Sequence, residues 1–445
     1  MSLPPAAPVL LRGGAVITMD GRRRLLAEGD VQLEGGRVAA VGRRLRAPGS
    51  AVLDCRGKAV LPGLVQAHVH LCQVLFRNRA DGLALLPWLR RRIWPLEAAH
   101  DDRSLRLSAR LGIAELLLGG TTAVLDMATV RGTRQLFLAA REMGIRYTGG
   151  KALMDRGPEG LREKTAAALA ETLALGRRWH GEAGGRLRYA LCPRFVLSCS
   201  ERLLRETAAM AAREGWLVHT HASENPDETR LIRDRLGAGN AEYLHALGLS
   251  GPRVVLAHCV HLSGAEERLL ARTGTHAVHC PGANLKLGSG IAPLPRMRAL
   301  GVPLALGADG APCNNTLDVF HEMRLAATLH LPRFGAAGFS ALEALELATT
   351  GGAAALGLSE EIGSLEAGKR ADVTVVDLSR PHLAPAGRDP VAAVVYGASA
   401  RDVTDVWVDG VRLVAGGVLR SFPVEELVAA AEPEARRIAR RAGLA

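Results

Sequence analysis

Between Leu61 and Leu358 the chain alternates short β-like runs with longer helical patterns, and this alternation constrains its fold more than any other feature. The strand candidates are Gly63–His70, Thr122–Met127, Ile145–Met154, Leu187–Cys192, Leu217–His221, Val254–His258, His276–Cys280 and Pro303–Asp309. Helical patterns such as Leu105–Leu118, Thr165–Trp179, Ser200–Arg213 and Glu266–Arg272 lie between them. Repeated β/α units of this kind predict an α/β fold, a (β/α)8 TIM barrel, with its chemistry at the C-terminal ends of the strands. A doubly wound open sheet is the alternative, but no GxGxxG follows the first candidate strand.

Both ends of the chain are β-rich. Short runs from Val9 to Leu53 are punctuated by turn signals at Gly13-Gly14, Asp20-Gly21, Gly35-Gly36 and Pro48-Gly49. A matching set returns at Asp372–Val376, Asp405–Val408 and Val411–Val414. Segments 1–60 and 370–423 are therefore expected to build one small composite β-sandwich beside a barrel of residues 61–369. The alanine- and arginine-rich segment 424–445 reads as a terminal helix.

Composition narrows the class. Among 445 residues, 48% hydrophobic and 23% charged is the balance of a globular protein with a large core. No apolar run is long enough to span a bilayer, so no membrane partner is expected. The N-terminal stretch lacks a charged region followed by an apolar core, which makes the cytoplasm the expected location. The seven cysteines are scattered and never form CxxC, which argues against a disulfide framework or a zinc ribbon. The net charge of +11 invites a nucleic-acid reading. That charge is nearly all arginine in short dispersed clusters, without aromatic interleaving, so a solvated basic surface is expected and no nucleic-acid partner.

Against this frame His68 and His70 stand out. Side chains at i and i+2 of a strand share a face, so two imidazoles could reach one point at the end of the first barrel strand. A chance pair on a solvated face is the competing reading. Further metal-capable residues end other candidate strands: His219, His221 and Glu224 the fifth, His258 the sixth, and Asp309 the eighth. Their coincidence at one rim of one barrel favours a metal centre.

Four blocks carry a resemblance. They are Pro62-Gly63 ahead of the HxH, His279-Cys280-Pro281-Gly282-Ala283-Asn284 with Lys286-Leu287-Gly288-Ser289-Gly290, Gly307-Ala308-Asp309-Gly310-Ala311-Pro312-Cys313-Asn314-Asn315, and Ile362-Gly363-Ser364 running to Asp372. The chain resembles the metal-dependent amidohydrolase superfamily, in the branch of adenosine-type deaminases, guanine deaminases and triazine hydrolases. That resemblance implies His68, His70, His221 and Asp309 as metal ligands, with His219 behind them. It implies catalytic roles for Asp309, for His258 beside the attacking water, and for Glu224 as proton shuttle to a ring nitrogen. Some relatives bridge two metals with a lysine ending strand four. Here that strand ends Cys192-Pro193-Arg194 and Lys151 lies on strand three, so one divalent metal per chain is expected, zinc before iron.

The long loop from Leu71 to Glu97 should cover the site. The expected substrate contacts are Gln73, Trp88, Glu97, Arg194 and Phe195. Glu97, in Ile93-Trp94-Pro95-Leu96-Glu97, resembles the glutamate that binds ribose hydroxyls in adenosine-type deaminases. Gln73 and Pro193-Arg194-Phe195 look like guanine deaminase, whereas the blocks around Lys286 and Asp309 look like 5′-deoxyadenosine and methylthioadenosine/S-adenosylhomocysteine deaminases. The expected function is hydrolytic deamination of an aminopurine, foremost a 5′-modified adenosine. Guanine deaminase and triazine hydrolase are the alternatives, and a catalytically silent binding protein is the reading from another class. The resemblance also implies a homodimer or larger assembly.

Overall fold

The middle of the chain forms parallel strands that follow one another around a sheet in sequence order. They are Leu64–Val69, Thr121–Met127, Arg146–Gly150, Leu187–Pro193, Leu217–Ala222, Val254–His258, His276–His279 and Leu304–Leu306. The structure is a computed structural model that describes residues 7–387 and 389–444. The first six residues of segment 1–60, Arg388 of segment 370–423 and Ala445 thus lie outside the described residues.

Most of these strands are buried along their length, as a parallel sheet covered by helices on its outer face must be. The last strand returns to the first at the rim. Val69 and Asp309 form a parallel bridge, and the Asp309 N–H donates to the His68 carbonyl at 3.1 Å. The approach is so close that a Cβ on Gly307 would lie 2.6 Å from that carbonyl. The barrel is nearly closed, and its seam passes through two of the expected metal ligands. The expected third strand is interrupted at Lys151: Arg146–Gly150 and Ala152–Leu153 both pair with the fourth strand but as separate ladders.

The terminal segments share a second sheet. Its order runs Val418–Leu419, Val411–Ala415, Val403–Val408, Val373–Asp377, Lys58–Pro62, Val9–Ile17, Leu25–Glu34, Arg37–Gly42, with Ala51–Asp54 beside Val9–Ile17. The two ends of the chain meet where Val373–Asp377 pairs antiparallel with Lys58–Pro62, a strand that the sequence pattern did not separate from the barrel entry. The Gly13-Gly14 turn signal is a β-bulge inside one continuous strand. Its register slips on either side of Gly14, and the Asp30 carboxylate accepts from the Gly13 N–H at 2.9 Å. Among the described residues no helix is long and apolar enough to cross a membrane.

A buried ion cluster joins this sheet to the barrel. Arg146, at the start of the third barrel strand, donates to both Asp372 oxygens at 2.9 Å and to Asp409 at 2.5 Å. Arg146 and Asp372 are each almost wholly buried, so removing one partner leaves an uncompensated charge in a medium that cannot solvate it. Arg146→Ala is expected to destabilise the protein by about 3–5 kcal/mol, read as a fall in the thermal midpoint. An unchanged midpoint would show that the cluster does not hold the two sheets together.

Candidate active site

At the C-terminal rim of the barrel, four imidazoles turn the same edge inward. His70 Nδ1 lies 2.9 Å from the Met127 carbonyl and His221 Nδ1 lies 2.7 Å from the Arg194 carbonyl. A carbonyl only accepts, so both Nδ1 atoms carry the proton and both Nε2 atoms present lone pairs. His219 places Nδ1 3.2 Å from the Val255 carbonyl, which leaves its Nε2 to accept from His68 Nδ1 at 2.7 Å. His68 Nε2 is then also a lone pair. His258 Nδ1 faces Asn284 Oδ1 at 2.8 Å, giving the same result.

What these lone pairs face is another set of acceptors. His70 Nε2 and His221 Nε2 are 3.2 Å apart. Asp309 Oδ1 is 3.3 Å from His68 Nε2 and 3.4 Å from His70 Nε2. His258 Nε2 is 3.4 Å from Glu224 Oε2 and 4.0 Å from Asp309 Oδ2. Among the described residues, the buried Nε2 atoms of His68 and His258 have no hydrogen-bond partner. Burial lowers the pKa of His68 and His70 to about 4 and holds His221 well below its ordinary value, so these rings are neutral near pH 7. Neutral acceptors packed against acceptors need a cation between them. Ligand atoms about 2.1 Å from one shared centre have this spacing, and three imidazoles with a carboxylate are a zinc-type donor set. The donor atoms of His68, His70 and His221, and those of His68, His258 and Asp309, form two groups each within 4.8 Å. The residues fit a divalent metal.

The polypeptide is bent to make this arrangement. His70 stands one residue beyond its strand, and pairing with the second strand slips between Gln66 and Val69. Ser223, His258 and Asp309 have φ of 53°, 73° and 63°, in the left-handed region that non-glycine residues avoid. Glu224 is buried, its Oε1 unpartnered. Burial first, then the nearby Asp309 and Glu228 carboxylates, raises its pKa well above the usual carboxylate range.

A cavity opens onto these groups. Of the residues singled out in the sequence, His70, Gln73, Trp88, Arg194, Phe195, His221, Glu224, His258 and Asp309 line it. His68 lies beneath it, buried among the other imidazoles. Glu97 is placed elsewhere. It is absent from the lining; Arg194 Nη1 and Nη2 donate to its carboxylate at 2.5 and 3.1 Å, and Gln73 Nε2 at 2.9 Å. Glu97 thus sits behind the wall and holds two wall residues. The Gln73 amide is oriented by that bond, leaving Oε1 without a partner.

The loop after the first strand covers the site as short helical turns, Leu71–Phe76, Leu85–Trp88, Leu89–Ile93 and Trp94–Ala98. It is tied down at its start, where Asp126 accepts from the Leu71 N–H at 2.8 Å and from the Tyr147 hydroxyl at 2.6 Å. Leu85 and Leu89 join the lining, as does Glu228. None of these was singled out in the sequence. Leu85, Trp88 and Leu89 do recur at helical spacing, a signal that the sequence carried. The Lys151 ammonium contacts the Val130 carbonyl and lies 2.8 and 2.9 Å from Glu163 and Glu171.

Known proteins resemble this chain in sequence and in fold. The profile of the Amidohydrolase family matches residues 59–413. A 5-methylthioadenosine/S-adenosylhomocysteine deaminase of Desulfitobacterium hafniense is 35% identical over 97% of this chain and 99% of its own. A 5′-deoxyadenosine deaminase of Methanothermobacter thermautotrophicus is 38% identical over 96% and 98%. Among solved structures, an adenosine deaminase from Xanthomonas campestris with bound zinc superposes with a TM-score of 0.92 at 31% identity, covering 98% of this chain and 99% of that one. Atrazine chlorohydrolase from Arthrobacter aurescens, complexed with zinc, gives 0.90 at 27% over 96% and 100%. Escherichia coli guanine deaminase gives 0.82 at 29% over 92% and 99%.

If a cation relieves the clash of acceptors, removing it must cost stability. Dialysis against a chelator is expected to lower the thermal midpoint, and a divalent metal at 100 times its Kd should restore about 2.7 kcal/mol. A midpoint indifferent to chelator and to added metal would refute the metal centre.

Proposed function

The chain belongs to the amidohydrolase family, and from that premise we propose that it hydrolytically deaminates an aminopurine, foremost an adenosine modified at the 5′ position. The observation that carries the reading is the buried, unpartnered Glu224 carboxylate set beside the convergent lone pairs of His68, His70, His221 and His258. Names of full-length relatives that deaminate 5′-deoxyadenosine or methylthioadenosine and S-adenosylhomocysteine support the substrate class.

In this reading His68, His70, His221 and Asp309 hold one zinc ion per chain. When bound, it supplies Lewis acidity and makes hydroxide available from water near neutral pH. Lys151 is committed to Glu163 and Glu171, which supports a single ion. His258, its Nδ1 proton held by Asn284, turns a lone pair toward the attacking water and accepts a hydrogen bond from it. Asp309 takes up the proton released as that water adds to the amine-bearing carbon. Glu224 enters the reaction protonated, as its burial favours, and delivers its proton to the adjacent ring nitrogen. That transfer makes the carbon electrophilic. The tetrahedral centre then collapses: its hydroxyl proton passes back to Glu224, the amine takes the proton held on Asp309 and leaves as ammonia, and a ring carbonyl remains. Trp88, Leu85, Leu89 and Phe195 offer the base an apolar slot, while Gln73 Oε1 is a free acceptor for a donor on its edge.

Guanine is the second reading, because Glu97 is engaged by Arg194 and Gln73 rather than presented to a sugar. The barrel of residues 61–369 is the catalytic unit in this proposal, with the terminal sheet as its support and a homodimeric or larger cytoplasmic assembly.

Ammonia release should be measured with 5′-deoxyadenosine, methylthioadenosine, S-adenosylhomocysteine, adenosine, guanine and a chlorotriazine. Turnover of the 5′-modified adenosines is expected to dominate, and activity on guanine alone would overturn the lead reading. Glu224→Gln is expected to retain its metal while kcat falls by about 10²–10⁴-fold. Full activity in that variant would exclude Glu224 as the proton carrier.

A further inference from the structure

Among the described residues, no side-chain donor reaches the Glu224 carboxyl group. Among the described residues its Oε1 has no hydrogen-bond partner, and its Oε2 lies 3.4 Å from His258 Nε2. The direction of the carboxyl group therefore depends on the backbone that carries it. That backbone leaves the fifth strand at Ala222 and turns through Ser223 in the left-handed region, which withdraws the next two N–H groups from the sheet.

Those N–H groups find one acceptor. Glu228 Oε2 accepts from the Glu224 N–H at 2.8 Å and from the Asn225 N–H at 3.4 Å. Glu228 is the third residue of the helix Pro226–Leu236, with Asn225 as its N-cap. In an ordinary capping box a glutamate here reaches back to the N-cap N–H alone. Here it extends one residue further, to the proton carrier itself. Its other oxygen accepts from Asn240 Nδ2 at 2.7 Å, so the carboxylate is held from the next helix as well. Glu228 is buried and borders the cavity. The opposite side of the turn is fixed by the Ser223 carbonyl, which accepts from the N–H groups of Val260 and His261 just beyond His258.

We propose that Glu228 is a positioning residue for the proton-transfer step, holding the turn that points Glu224 at the reacting ring. The proposal rests on the reading of Glu224 as the proton carrier. It assigns Glu228 no contact with the reacting atoms, because both of its oxygens are committed to the scaffold.

The test uses the full-length metal-loaded enzyme with whichever of 5′-deoxyadenosine or guanine it deaminates. A misplacement of about 1 Å costs on the order of 10²-fold in rate, so Glu228→Ala should lower kcat by about that factor with KM little changed. Metal content should stay at the wild-type stoichiometry. Glu228→Gln should recover most of the loss. Its amide oxygen still accepts from the Glu224 N–H, and the unpartnered Asn240 Oδ1 can turn to accept from its amide nitrogen. The decisive comparison is a double-mutant cycle. In a Glu224→Gln background, adding Glu228→Ala should cost less than about threefold, because a residue acting through Glu224 has nothing left to aim. If Glu228→Ala cost the same factor in both backgrounds, or left kcat unchanged alone, the assignment would be wrong. It would also be wrong if Glu228→Gln were as impaired as Glu228→Ala. Should Glu224→Gln itself retain full activity, the premise about Glu224 falls, a result separable from any behaviour of Glu228.

Discussion

The interactions on which this site depends point away from it. Each of four imidazoles directs its Nδ1 edge to an acceptor of the scaffold: His68 to His219, His70 to Met127, His221 to Arg194, His258 to Asn284. Those outward bonds fix the tautomers and leave every Nε2 as an inward lone pair. A buried cluster of acceptors is unstable by itself, and a cation is what makes it tolerable. Metal affinity is thus written as much in backbone carbonyls as in the histidines.

The same economy links the centre to the cavity wall. The Arg194 carbonyl orients His221 while its guanidinium, braced by Glu97, forms part of the wall. Gln73 is held by that same carboxylate. Around the rim, the seam that brings the last strand to the first is a hydrogen bond between Asp309 and His68. Barrel closure therefore also sets the positions of His68 and Asp309 relative to each other. The left-handed φ angles at Ser223, His258 and Asp309 mark where the fold bends to aim side chains rather than to continue strands.

Support comes from well outside the rim. Ala435, Ile438 and Ala439 of the terminal helix Val424–Arg441 pack into the same apolar cluster as Leu85, Trp88 and Leu89 of the covering loop. Arg437 holds Asp101 through both oxygens at 2.8 and 2.9 Å, and Asp101 caps the helix Asp102–Leu118 that follows that loop. The cavity wall is thus backed by the last helix of the chain.

Much of this was legible in the sequence, because its signals are local. Alternating strand and helix periods marked the barrel, and HxH, the His221 and Glu224 spacing, His258 and Asp309 marked the rim. Gly13-Gly14 misread as a turn because a bulge and a turn use the same left-handed glycine. Other features have no local signature. Lys58–Pro62 is a strand because Val373–Asp377 pairs with it from more than 300 residues away. Glu97 faces Arg194 rather than open space because strand four brings that guanidinium to it across the barrel. Glu228 reads in sequence as an ordinary helix cap, and only the turn at Ser223 gives it the backbone of Glu224 to hold. The sequence by itself determined which residues could bind a metal and move a proton, since those capacities belong to the side chains. Which atom of each turns inward, and which carboxylate meets the cavity, was decided by tertiary structure, because hydrogen bonds between distant segments set tautomer, rotamer and charge pairing.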